Sequence, residues 1–199
     1  MPESLKPVSF MDCTWLNKPT HSSVSATELK IVTDARTDFW RETHYGFERD
    51  SGHFLGTTVK GDFTAQIRIR AVYDQLYDQA GLMLRVDDRN WIKTGIEFTD
   101  GEHALSTVVT RGQSDWSVGA LKGQPEDFRL RLTVSNGALR IQASTDGRLW
   151  PLYRLAPFQA DGECRIGPMC CTPERAGLEC RFSEFMIGPA TSKELHDLS

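Results

Sequence analysis

Apolar and polar residues alternate along most of this chain, and this period-two pattern limits the folds that it can adopt. In GDFTAQIRIRAVY, residues 61–73, the side chains of Phe63, Ala65, Ile67 and Ile69 share one parity, and mostly polar residues stand between them. Successive side chains of a β-strand point to opposite faces of a sheet, so this pattern is typical of a half-buried strand. Helical periodicity is nearly absent. We therefore predict an all-β fold of many short antiparallel strands, a β-sandwich or jelly roll.

The strongest hairpin signal lies in residues 126–147, EDFRLRLTVSNGALRIQASTDG. Asn136 and Gly137 tolerate the positive φ angles of a two-residue turn, so a tight hairpin is expected at this point. Near the end of the chain, Phe182 and Phe185 fall on different parities. This change of phase predicts a bulge or a bend in the last strand.

Composition predicts a single domain over residues 1–199 and excludes some partners. A chain of 199 residues with 39% apolar residues can bury one substantial core, and no repeat or linker divides it. The net charge is −4 and no basic stripe is present, so a nucleic-acid partner is not expected. No apolar run approaches the length of a membrane span, so no membrane partner is expected.

The cysteines and the N-terminal residues predict a cytoplasmic protein. The first residues have no basic stretch followed by an apolar one, which an export signal requires. The five cysteines form no C-x-x-C pair and are odd in number, as is typical of free thiols in a reducing compartment. Phosphate-binding and dinucleotide-binding motifs are missing, so no cofactor is predicted.

A candidate binding face lies in AGLMLRVDDRNWIKTGIEF, residues 80–98, which predicts two strands joined by a tight turn. One parity carries Gln79 and Arg85 in the first strand, and Lys93 and Glu97 in the second. If the turn pairs these strands, all four side chains stand on one face of the sheet. The alternative is an ordinary solvated face with weak cross-strand ion pairs.

Two neighbouring segments supply further candidates for the same face. In EHALSTVVTRGQSDW, polar residues of one parity would extend the face, and a tryptophan would stand at its rim. The segment FWRETHYGFERDSGHF would form a wall of the cleft. The candidates are His103, Arg111 and Trp116 in the first segment, and Trp40 and His44 in the second.

These residue types suit a sugar or another small polar ligand. Aromatic rings stack on the C–H groups of a sugar, and fixed polar side chains bond its hydroxyls. Arginine and lysine would favour an anionic sugar or an acidic metabolite. The spacing H-x3-E-x4-H of His44, Glu48 and His53 matches no usual ligand motif, so no metal site is predicted.

Catalysis is a variant of the binding hypothesis. Glu97 would be the acid or base of a glycosidase, which needs a second carboxyl, with Asp78 and Glu42 as loop candidates. Lys93 would serve as a base or Schiff-base lysine only if it is buried. The catalytic residues otherwise stay unassigned.

The sequence resembles a concanavalin A-like family of proteins named after a yeast regulator of enolase. The resemblance covers residues 38–187 and lies in strings that occur in the same order and at similar spacing: DFWRETHYGFERDSGHFLG, GDFTAQIRI, YDQAGLMLRVD, WIKTGIEFTDG, VVTRGQSDWSV and FSEFMIG. It implies a lectin/glucanase-like jelly roll whose concave sheet forms a cleft, an architecture often used by sugar-binding modules and glycosidases. The acidic E-x-D-x-E-like string of concanavalin-type glucanases is absent here.

Two functions from different classes follow. The first is binding of a carbohydrate or a small polar ligand on the concave face, with the glycosidase variant that uses Glu97. The second is a regulatory protein–protein interaction module, as the family name implies. A narrow cleft of fixed polar side chains would favour the ligand, whereas a broad apolar patch would favour a protein partner.

Overall fold

A computed structural model of the chain describes residues 5–159 and 162–199. Besides a 3-10 turn at Phe10–Asp12, the regular secondary structure of the described residues consists of strands. In chain order these are β1 (Lys6–Pro7), β2 (Thr14–Leu16), β3 (His21–Val24), β4 (Glu28–Val32), β5 (Phe39–Arg41), β6 (Glu48–Asp50), β7 (His53–Lys60), β8 (Phe63–Ala71), β9 (Gln79–Arg85), β10 (Asn90–Thr99), β11 (Glu102–Arg111), β12 (Gln113–Ala120), β13 (Asp127–Ser135), β14 (Ala138–Ser144), β15 (Leu152–Pro157), β16 (Glu163–Cys171) and β17 (Glu179–Gly188).

Two sheets enclose the core of the molecule. The back sheet has the strand order β15-β14-β13-β8-β17-β4-β3, with β1 beside β17. The front sheet has the order β12-β11-β10-β9-β16-β7-β2, and β5 pairs with β6 in a separate hairpin. The pairings of the described strands are antiparallel. The predicted antiparallel β-sandwich is therefore confirmed.

The apolar parity of the strands lines the space between the two sheets. The completely buried side chains of this core include Leu29, Ile31, Ala65, Ile67, Ile69, Leu82, Leu84, Leu130, Leu132, Ile141, Ile166 and Phe182. Burial of a large aliphatic or aromatic side chain stabilises a fold by about 1.5–3 kcal/mol relative to exposure. This core holds the front sheet in place and leaves its outer face, the front face, free for other contacts.

The structure also confirms both local predictions. Ser135 lies opposite Ala138, and the turn residues Asn136 and Gly137 have φ angles of 51° and 73°. In β17 the register shifts between Ser183 and Met186, where Glu184 has a φ angle of 52°. This bulge returns Phe185 to the core side.

Buried cysteines lie on both sides of the front sheet. Cys170 points into the core between the sheets, and Cys171 points to the front face, as their adjacent positions require. All five cysteines are free thiols. Among the described residues, no helix has the length and apolar character needed to span a membrane.

The β5–β6 hairpin lies over part of the front face. Phe39 and Trp40 of this hairpin form a second apolar cluster with front-face side chains, which include Met83, Trp91 and Val108. The rings of Phe39 and Trp91 lie 6.0 Å apart at an angle of 59°. This cover explains why the front face is not an ordinary solvated surface.

Two paired glycines leave a depression in the front face. Gly81 of β9 and Gly95 of β10 lie directly opposite each other. A Cβ atom on Gly95 would lie 2.1 Å from the Ala80 carbonyl oxygen and 2.7 Å from the Gly81 Cα. The two strands would have to move apart to accommodate such an atom. The front face therefore has no side chain on β10 between Lys93 and Glu97.

We predict that Gly95→Ala destabilises the fold by about 1–3 kcal/mol, because the new methyl group meets backbone atoms that must move apart. Gly119→Ala is the matched control, since a Cβ atom there would meet only the movable ring of Tyr153. Urea-induced unfolding measures both changes. Equal stability of the two variants would contradict this interpretation of the glycine pair.

Candidate functional site

The strand register brings three of the predicted site residues together. Glu97 lies opposite Gln79, and Lys93 lies opposite Met83, so the predicted pairing of β9 with β10 is confirmed. These polar side chains are nearly inaccessible to solvent, with exposed fractions of 7% for Gln79, 4% for Lys93 and 3% for Glu97. The solvated-face alternative does not describe this part of the sheet.

A cavity of about 150 Å³, the front cavity, opens above these side chains. It is lined by residues of the front sheet, of the β5–β6 hairpin and of two loops: Asp38, Trp40, Tyr45, Phe47, Tyr77, Gln79, Lys93, Glu97, Val108, Trp116, Pro173 and Glu174. Five of the nine predicted ligand-binding residues, Trp40, Gln79, Lys93, Glu97 and Trp116, thus line one cavity.

Four aromatic rings, Trp40, Tyr45, Tyr77 and Trp116, form a box at this cavity. The centroid of the Trp40 ring lies 5.6 Å from that of Tyr45 and 6.3 Å from that of Trp116, at interplanar angles of 72° and 87°. Tyr77 lies 6.4 Å from Trp116 at 76°. The hydroxyls of Tyr45 and Tyr77 are 3.4 Å apart and close the fourth side. We call these four residues the aromatic box.

An ion pair lies at the base of the front cavity. The Lys93 Nζ donates to Asp38 Oδ1 at 2.8 Å, and the same oxygen accepts the backbone N–H of Phe39 at 2.7 Å. Burial disfavours the charged ammonium, but Asp38 and the neighbouring Cys171 and Glu97 outweigh it, so the pKa of Lys93 lies above its ordinary value. Lys93 is therefore a fixed cation, which does not suit a base or a Schiff-base lysine.

Glu97 is a buried carboxyl group with a neutral hydrogen-bond partner. The Trp116 Nε1 donates to Glu97 Oε2 at 3.3 Å and to the Ser106 hydroxyl at 3.0 Å. Burial raises the pKa of Glu97 above its ordinary value, although Lys93 partly counteracts it. Among the ion pairs of the described residues, Lys93 is joined to Asp38 and none includes Glu97.

The loop carboxyls expected beside Glu97 have other partners. Asp78 is completely buried and forms an ion pair with Arg175 at 2.5 Å. Glu42 accepts a hydrogen bond from the Gln113 amide at 3.0 Å. The other carboxyl groups at the front cavity are instead Asp38 and Glu174.

Two predicted residues lie near the front cavity but do not line it. Arg85 shares the front face, yet its guanidinium is bound by both oxygens of Asp50 in β6, at 2.7 and 2.8 Å. His44 lies in the turn between β5 and β6, with its ring 4.9 Å from that of Tyr45. Arg85 therefore holds the hairpin, and His44 supports the aromatic box from outside.

The predictions for His103 and Arg111 were wrong, because both residues belong to the opposite parity. The two-residue turn Asp100–Gly101 pairs odd-numbered residues of β10 with even-numbered residues of β11, so His103 lies opposite Phe98. His103 Nε2 bonds the Tyr73 carbonyl oxygen at 2.9 Å, and Arg111 donates to the Pro157 carbonyl. The front-face residues of β11 are instead the even-numbered ones, which include Ser106 and Val108.

The strongest contributions that sequence reasoning missed come from loops. Asp38 and Tyr77 line the front cavity, although they lie outside the two strands that defined the candidate face. Glu174 reaches it from the segment between β16 and β17. Local patterns show such residues only as polar or aromatic groups beside a strand, because their position depends on contacts that are distant in sequence.

The fold and its relatives define the class of this protein. Its sandwich aligns with a GH43 protein, BlXynB of Bacillus licheniformis, with a TM-score of 0.68 at 12% identity, over 91% of this chain and 37% of that one. It also aligns with the exoplasmic/lumenal domain of VIP36 in its Ca²⁺/Man3GlcNAc-bound form, with a TM-score of 0.56 at 9% identity, over 96% and 92% of the two chains. These likenesses show a concanavalin A-like, lectin- and glycosidase-type β-sandwich, as predicted.

The family is shown by closer similarity. Residues 15–190 match the family described as protein of unknown function, DUF1349, and the chain belongs to it. It is 54% identical over 186 residues to regulation of enolase protein 1 of Saccharomyces cerevisiae, covering 94% of each sequence. A crystal structure of a functionally unknown S. cerevisiae protein aligns with a TM-score of 0.90 at 51% identity, over 93% of this chain and 100% of that one. The suspected family resemblance is confirmed.

We predict that Lys93→Met destabilises the fold by about 3 kcal/mol, because it leaves the Asp38 carboxylate without its cation. The double variant Lys93→Met/Asp38→Asn should recover at least about 1 kcal/mol of that loss, since the two residues act as a pair. Lys30→Met is the control, because Lys30 forms an exposed pair with Glu28 and should change stability by less than about 1 kcal/mol.

Denaturant unfolding of five proteins measures these differences: the wild type, the single variants Lys93→Met, Asp38→Asn and Lys30→Met, and the double variant. Strictly additive effects of Lys93→Met and Asp38→Asn would show that the two side chains do not depend on each other.

Proposed function

We propose that this protein binds a small polar ligand, about the size of one sugar ring, in the front cavity. The observation that carries the proposal is the combination of fixed, buried polar groups at the base with aromatic rings at the walls. Ligand sites commonly have this composition: apolar and aromatic walls with a few precisely placed polar groups. A volume of about 150 Å³ is below the roughly 300–1,000 Å³ of a site for a drug-sized molecule.

A sugar suits the chemistry of these walls. Its C–H faces would stack on the rings of Trp116 and Trp40, and its hydroxyls would bond the side chains of Gln79, Glu97 and Asp38. The names of the aligned structures support this ligand class, because one is a GH43 protein and another was obtained with a bound oligosaccharide.

The free thiols support a reducing compartment, and we place the protein in the cytoplasm.

The contacts of the two cationic side chains weaken the electrostatic argument for an anionic sugar. Arg85 is bound by Asp50, and Lys93 is bound by Asp38, so both cations already have carboxylate partners. The remaining charged side chains at the front cavity are the carboxyl groups of Glu97 and Glu174. We therefore rank sugars without an acidic group above uronic acids and sugar phosphates.

A regulatory role through a protein partner is the second candidate. The name of the yeast relative supports it, and so does an exposed aromatic pair in the lining of the front cavity. The rings of Tyr45 and Phe47 are stacked at 5.4 Å and remain 47% and 38% exposed. Aromatic residues of this kind are enriched at protein interfaces.

A thermal-shift panel of monosaccharides, uronic acids and sugar phosphates tests the ligand proposal. A ligand at 100 times its Kd should stabilise the fold by about 2.7 kcal/mol, which corresponds to a Tm increase of roughly 5–10 °C for a chain of this size. We predict that Trp116→Ala abolishes the increase. Val118→Ala should keep it, because Val118 is an exposed neighbour on the same strand outside the cavity lining.

This experiment distinguishes the ligand-binding function from the regulatory one. A Tm increase that survives in Trp116→Ala would show that the ligand binds elsewhere. A panel without any Tm increase would contradict the ligand proposal and leave the regulatory role as the better supported function.

A further inference from the structure

We propose that the ligand of the front cavity carries an ammonium group, which enters the aromatic box and pairs with the Glu97 carboxylate. This inference rests on the proposed ligand site and names the chemical class that the site selects. Glucosamine-like amino sugars and small alkylammonium compounds belong to this class, whereas neutral and acidic sugars do not.

The dimensions of the aromatic box suit a cation. Neighbouring rings are nearly perpendicular, as adjacent walls of a square box are, and their centroids lie 5.6, 6.3 and 6.4 Å apart. Perpendicular walls whose centroids have this spacing would stand about 4–4.5 Å from a central atom, within the 6 Å range of a cation–π interaction. Boxes of tryptophan and tyrosine rings are a recurrent way to recognise alkylated ammonium groups.

Glu97 supplies a buried carboxyl group that forms no direct ion pair among the described residues, although Lys93 acts on it electrostatically. Its side chain is 3% exposed, lines the front cavity, and accepts a hydrogen bond from the neutral indole N–H of Trp116. A buried carboxylate without a counter-charge is unfavourable. A bound cation would supply that counter-charge, which favours its binding. Trp116 belongs to the aromatic box and bonds Glu97, so the two parts of the site meet at one residue.

The neighbouring charges do not oppose a cation at this position. Lys93 is the positive group at the front cavity, and Asp38 neutralises it at 2.8 Å. Glu174 stands at the exposed rim and adds a second negative charge. A positively charged ligand therefore meets a cavity with an excess of carboxyl groups over cations.

Two pairs of compounds that differ in charge test the inference. Glucosamine is compared with glucose, and choline with its neutral isostere 3,3-dimethyl-1-butanol, by calorimetric titration of the intact protein. We predict that the cation of at least one pair binds about tenfold or more tightly than its neutral partner. Glu97→Gln should remove that preference, whereas the rim control Glu174→Gln should change the affinity by no more than about threefold, because an exposed charge is screened.

Three outcomes would contradict all or part of this inference. Equal affinity for the charged and neutral members of both pairs would overturn the ammonium inference and leave the proposed ligand site intact. Binding of neither cation would also overturn it, and the proposed function would then depend on the sugar panel alone. A preference that persists in Glu97→Gln would overturn the role of Glu97.

The pH dependence gives a second readout that a purely structural role of Glu97 would not produce. Choline keeps its charge at every pH, so its affinity should rise with pH as Glu97 loses its proton. The midpoint should lie above the ordinary glutamate pKa, because burial raises the pKa of Glu97. The other titratable groups that line the front cavity are Lys93, Asp38, Glu174, Tyr45 and Tyr77, and the Cys171 thiol and the Tyr153 hydroxyl also interact with Glu97. A profile unchanged by Glu97→Gln would contradict the assignment.

Discussion

The ion pair between Lys93 and Asp38 joins the β5–β6 hairpin to the front sheet, and the candidate site depends on it. Without that contact, a row of polar side chains on β9 and β10 would face solvent as on an ordinary antiparallel sheet. With it, the hairpin covers part of the front face and a cavity remains between them. Arg85 and Asp50 form a second bridge between the sheet and the hairpin. Because burial of charged side chains is costly, these two ion pairs contribute more to the defined geometry of the site than to the free energy of unfolding.

The strands and the base of the site could be predicted from local patterns, since alternation determines which side chains share a face. Gln79, Lys93 and Glu97 lie together for that reason. The same reasoning was wrong for His103 and Arg111, because residue type was followed instead of the register that the Asp100–Gly101 turn imposes. A count across that turn identifies the correct face.

The walls of the site could not be predicted in the same way. Asp38 reaches Lys93 across 55 positions of sequence, and Tyr77 meets Trp116 from a loop. Such contacts follow from how the sheets and the hairpin assemble, which no period in the sequence encodes. Solved structures with 9–12% identity share this sandwich, so the fold alone does not determine the chemistry. The function proposed for this chain therefore depends on its side chains at the front cavity.

Binding at the aromatic box can be observed directly through the tryptophan indole N–H signals in a ¹⁵N–¹H NMR titration with glucosamine or, if that is silent, choline. Trp116 and Trp40 contribute two of these signals, and single Trp→Phe variants assign them. The account predicts that the signals of Trp116 and Trp40 shift on titration, while those of Trp15 and Trp150, which lie outside the front cavity, stay in place. Shifts confined to Trp15 or Trp150, or no shift with either compound, would contradict an ammonium site at the aromatic box.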